Sequence, residues 1–67
     1  MKMIKEYDHV KIKKTGITGI VVDVYENNGN VIYTIESDKK GVDGGYGEKD
    51  QYKLFDCKEN DLEVVNG

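Results

Sequence analysis

The sequence predicts an all-β domain of about five short strands, and three observations carry that expectation. Apolar residues alternate with period two or run in β-branched blocks, and a helical period of 3.6 is hard to find. An Asn28-Gly29 pair sits between two of the blocks, where a tight hairpin turn needs positive φ. At 67 residues the chain forms one domain, 1–67, and closing short strands into a small barrel is the arrangement that best hides their edges.

The elements follow in order. In "HVKIKK", Val10 and Ile12 alternate with Lys11, Lys13 and Lys14, as in a half-buried strand. "TGIVVDVYE" and "VIYTIES" are rich in β-branched and aromatic residues and read as the second and third strands. The stretch 38–50, "DKKGVDGGYGEKD", holds four of the eight glycines together with seven charged side chains, so it reads as a long mobile loop. "QYKLFDC" is a fourth strand, with Tyr52 and Leu54 on one face and Phe55 on the other. Asn60 and Asp61 predict a single 3₁₀ turn before a short fifth strand, "LEVV".

Gly16 and Gly19 frame the first corner. Gly16 is suited to positive φ at the end of the loop and Gly19 to a sharp bend in the strand; a bulge near Val22 would bring Val21 and Val24 to one interior. No Gly-Lys-Ser/Thr follows and the next element is a strand, so the pair is not a phosphate loop.

Asp8-x-Val10-x-Ile12 followed by Gly16-x-x-Gly19-x-Val21-x-x-Val24 resembles the opening of SH3-like barrels of the KOW type. "FDCKENDLEVV" is similar to the end of small SH3-like barrels, where a one-turn 3₁₀ helix precedes the last strand. The resemblance covers residues 8–37 and 52–65 and leaves the glycine-rich loop unmatched. It implies a five-stranded SH3-like barrel and, from KOW-type members, RNA, ribosomal protein or RNA polymerase as partners.

Charge bears on that implication. The net charge is -3, yet residues 1–14 carry five lysines against Glu6 and Asp8. The remainder is acidic and the chain has no arginine, which argues against general nucleic-acid binding, because phosphate affinity follows the number of cations placed on the backbone. The lysine-rich edge Lys11, Lys13 and Lys14 leaves a local RNA contact open. One cysteine, Cys57, permits no internal disulfide and, with a single histidine, no zinc site of several Cys or His ligands. That cysteine usage and the absence of an apolar h-region in "MKMIKEYDHVKIKK" predict a soluble cytoplasmic protein.

Among chemistry-bearing residues, His9 beside Asp8 has no nucleophile linked to it and reads as a solvent-facing strand histidine. Asp38, Asp43, Glu48 and Asp50 lack the EF-hand spacing and lie among lysines, so no metal or other cofactor is expected. Cys57 reads as a small buried residue. Tyr33 is placed in the core, whereas Tyr7, Tyr25, Tyr46 and Tyr52 are candidates for exposure. No convergent acid, base and nucleophile can be named, so the expectation is not an enzyme but an interaction module. It would bind a protein partner through the loop 38–50 together with Tyr25, Tyr46 and Tyr52, with RNA or ribosome contact through the lysines as the alternative.

Overall fold

Period-two patterning becomes five strands in the expected order: β1 (His9–Ile12), β2 (Thr18–Asn27), β3 (Asn30–Lys40), β4 (Tyr52–Cys57) and β5 (Leu62–Val64). The structure, a computed structural model, describes residues 4–65. The strands form one antiparallel sheet in the order β4-β3-β2-β1-β5. The β2–β3 hairpin turns at Asn28 and Gly29, whose φ values of 52° and 82° are the positive pair a two-residue turn requires. A 3₁₀ turn, Glu59–Asp61, precedes β5. It is closed by Asp61, whose carboxylate accepts from the Lys58 N–H at 3.1 Å while its own N–H donates to the Lys58 carbonyl at 2.9 Å.

One face of the sheet makes the core. Val10, Ile12, Val21, Tyr33, Ile35, Cys57 and Leu62 are buried there together with Ile4, and Ile17, Phe55 and Val64 pack against them. Ile35, Val10 and Val21 are fully buried, each contributing about 1.5–3 kcal/mol by leaving water. All five strands contribute to this cluster, so the sheet curls over its own inner face. The radius of gyration, 11.3 Å, is close to the roughly 11 Å of a compact chain of this length.

The sheet is nevertheless not closed into a barrel. β4 and β5 are its two edges, and no pairing joins them among the described residues. Edge protection comes by other means. β5 is only three residues long. The free edge of β4 is covered by the segment 41–51: Tyr46 and Leu54 exchange two backbone hydrogen bonds of 2.9 Å each. Gly45 lets this happen. At φ +68°, it approaches so closely that a Cβ would stand 2.6 Å from the Leu54 carbonyl oxygen and 2.8 Å from the Phe55 ring.

The segment also departs from the loop expected over 38–50. β3 continues through Lys40, so residues 38–40 belong to a strand. The remainder is anchored at several points. The Lys53 ammonium donates to the Val42 and Gly44 carbonyls at 3.3 Å each, and the Gly41 N–H donates to the Gln51 carbonyl at 3.0 Å. Where the β3–β4 register shifts, buried Ser37 bridges the gap: its hydroxyl donates to the Lys39 carbonyl at 2.7 Å and accepts from the Lys53 N–H at 3.0 Å.

Two features of the first corner differ in their cause from the sequence reading. A bulge does fall between Val21 and Asp23, and it places Val21 and Val24 on the same face. Val24 is 37% exposed, however, because the hairpin projects past the core. Gly16 takes φ +81°, as expected. Gly19 has no positive φ; it is buried against β3, where a Cβ would fall on the Glu36 carbonyl and 2.8 Å from the Ile35 side chain. Close strand approach, not a bend, is what demands glycine there.

Candidate functional site

The outer face of the sheet carries the side chains that the core patterning excludes. Cross-strand partners share a face, so registers Asp23↔Thr34↔Asp56 and Ile20↔Glu36↔Leu54 set two adjacent rows across β2, β3 and β4. Tyr25, paired with Ile32, extends the rows on one side, and Tyr46 joins them where it bridges Leu54.

Asp56 is the hub of this face. Its Oδ1 accepts from the Thr34 hydroxyl at 2.9 Å and from the Tyr46 hydroxyl at 3.0 Å. Partial burial, then the hydrogen bond and charge of Asp56, push the Tyr46 hydroxyl pKa up. The Tyr25 hydroxyl, on the same face through its pairing with Ile32, is raised in the same direction, by burial first and by the Asp56 charge second. The rings remain accessible, Tyr25 at 40% and Tyr46 at 49%. Tyr46 is thus held at both ends, by its backbone bridge to Leu54 and by its hydroxyl on Asp56.

Two of the three tyrosines singled out from sequence therefore share the Asp56 end of the outer face. The third, Tyr52, stands further along β4, paired with Lys40, whose ammonium lies 5.5 Å from the centre of its ring. Tyr7 is 73% exposed in the turn before β1, with φ 75°. The turn is held by the Lys5 N–H donating to the Asp8 carboxylate at 2.9 Å, so Asp8 is occupied locally. His9 turns away from it. Its Nε2 meets the Asp38 carboxylate at 2.7 Å, which also accepts from the Thr18 hydroxyl at 2.8 Å. The hydrogen bond from His9 lowers the Asp38 pKa, burial opposes this, and Thr18 and the His9 charge lower it further.

The lysines do not form one surface with the tyrosines. Lys11 lies on the outer face at the opposite side of the sheet, 4.0 Å from Glu63. Lys13 and Lys14 follow β1 and line a cleft of about 450 Å³ with Ile12, Cys57, Asn60 and Asp61. The Cys57 thiol is pushed up in pKa by burial first and by Asp61 and Asp56 next. Among the described residues no group of three or more His, Cys, Asp or Glu side chains is placed to hold a metal ion.

Asp56, Thr34, Asp23 and Glu36 were not singled out in the sequence. Alternation in "QYKLFDC" puts Asp56 on the face of Tyr52 and Leu54, and "VIYTIES" puts Thr34 opposite Tyr33 and Ile35. Neither pattern says that Asp56 stands beside Thr34, which is a matter of register between strands. Comparison with protein families, with curated proteins and with solved structures finds no match to this chain.

Proposed function

We propose that the protein is a non-catalytic interaction module of SH3-like, KOW-type character that binds a protein partner through the outer face of its sheet. The SH3-like reading is supported by the strand order, by the positive-φ Gly16 in the turn before β2 and by the 3₁₀ turn before β5. The observation that carries the functional reading is the pair of accessible rings, Tyr25 and Tyr46, on the sheet face where Tyr46 is held by Asp56. Aromatic side chains supply large contact area at small entropic cost, and one already held in place loses less on binding. A reducing, cytoplasmic setting fits the buried lone thiol of Cys57. Among the described residues no helix is long and apolar enough to cross a membrane.

A second reading, association with RNA or the translation or transcription machinery, draws on Lys13 and Lys14 beside their cleft, with Lys11 nearby in sequence. One pull-down from native lysate separates the two. The protein and a Tyr25→Ser/Tyr46→Ser variant are used as baits, each with and without nuclease. A retained protein that survives nuclease and is lost with the tyrosines supports the first reading. Retention that nuclease removes, and that depends on Lys11, Lys13 and Lys14, replaces it with the second.

A further inference from the structure

The outer face is charged as well as aromatic. Asp23, Glu36, Asp38, Asp56 and Glu63 share it, against Lys11 and Lys40. The ion pairs among the described residues are His9–Asp38 and Lys11–Glu63, which leave Asp23, Glu36 and Asp56 without a cation. These three flank Tyr25 and Tyr46, above the half-buried Ile20, Ile32 and Leu54. The face also shows how its tyrosines take a cation: the Lys40 ammonium already sits over the Tyr52 ring.

We propose that this face receives a basic segment of the protein partner, with a lysine or arginine side chain of that segment seated against the Tyr25 and Tyr46 rings at the Asp56 carboxylate. The inference rests on the interaction-module reading and names the chemistry of its partner. Each part of the ligand has a counterpart. The cationic head meets the ring faces and the Asp56 carboxylate. The aliphatic stem lies on Ile20, Ile32 and Leu54. Neighbouring basic residues meet Asp23 and Glu36, which steers encounter and excludes polyanions. Asp56 Oδ1 is occupied by Thr34 and Tyr46, so the ring geometry is set before the ligand arrives.

The test is a ¹H–¹⁵N titration of the full chain with a synthetic peptide in which Lys and Arg alternate with Gly and Ser. A peptide with Gln replacing every Lys and Arg, and oligouridylate, serve as comparisons. The expected result is amide shifts centred on Tyr25, Thr34, Glu36, Tyr46 and Asp56, from the basic peptide alone. Raising salt from about 50 to about 500 mM shrinks the screening length to about 4 Å and should weaken binding severalfold. Asp56→Asn, which keeps the Oδ1 acceptor for Thr34 and Tyr46, and Tyr25→Leu should each weaken it about two- to fivefold with the spectrum otherwise unchanged. Shifts centred on Lys11, Lys13 and Lys14 with oligouridylate, or shifts that depend on protein concentration without peptide, overturn the inference in favour of RNA or a second copy. Silence towards the basic peptide overturns it too. If the nuclease-resistant, tyrosine-dependent capture persists in that case, the interaction-module reading survives alone; if the capture also fails, both fall.

Discussion

Gly19→Ala is the substitution that most directly probes how β2 and β3 are held. Gly19 pairs with Val10 on one side and Ser37 on the other, so it sits inside the sheet and not at a corner. A Cβ there would lie on the Glu36 carbonyl oxygen, 2.9 Å from its carbon and 2.8 Å from Ile35 Cγ2. Carbon–carbon contacts are favourable near about 3.5–4.0 Å, so the strands must part by roughly 1 Å at their most extensive pairing. Overpacking of this kind costs about 1–3 kcal/mol, and a strained ladder bond adds about 1 kcal/mol. The lower entropy of unfolded alanine returns about 0.5–1 kcal/mol. The net expectation is a loss of about 1–3.5 kcal/mol, centred on about 2 kcal/mol, against a total of about 3–5 kcal/mol for a domain of this size. Far-UV circular dichroism should show the midpoint falling by roughly 10–20 °C, with a matching shift in urea. Gly16→Ala is the control. Its Cβ meets nothing within 4 Å, and only the φ of +81° resists, at about 1–2 kcal/mol. A Gly19→Ala protein as stable as Gly16→Ala would refute the close-approach reasoning.

Three further outcomes are expected. Tyr7→Gly should raise the melting midpoint by a few degrees, because it removes about 1–2 kcal/mol of left-handed strain from a residue that buries little, at about 0.5–1 kcal/mol of added chain entropy; a lower midpoint would show that the Tyr7 ring stabilises the turn. Asp38 has a carboxyl pKa held below its ordinary 3.8, first by the His9 hydrogen bond, so its contribution is present above pH 3.8 and lost as pH falls through the lower folded value. Urea titrations across that range should therefore show the advantage of the parent over Asp38→Asn vanish on acidification, and a gap independent of pH would contradict the linkage. Cys57, buried and raised in pKa, should react with a thiol reagent only slowly at neutral pH until denaturant is added; immediate reaction in the native protein would show that the strand end opens.

The strands, the Asn28-Gly29 hairpin and the 3₁₀ turn were legible in the sequence because each is decided within a few residues. Alternation assigns Val10, Ile12, Tyr33 and Ile35 to one face wherever the partner strand lies, and Asn-Gly adopts positive φ without tertiary help. The exposure of Tyr25, Tyr46 and Tyr52 followed from the same alternation and from loop position. What tertiary structure alone decided is non-local. The bulge at Val22 and the shift between Glu36 and Lys40 set which rows align, so Asp56 meets Thr34 and Tyr46, and His9 meets Asp38 instead of its neighbour Asp8. Asp8 closes the turn before β1 by accepting from the Lys5 N–H, while His9 opens the strand and reaches across to Asp38, which is why the Asp8–His9 pair in the sequence did not become a contact. The open sheet, the cover over the β4 edge at Gly45 and the true constraint on Gly19 likewise depend on how closely two backbones approach. That distance has no signature in either segment taken alone; it exists only once both strands are in place.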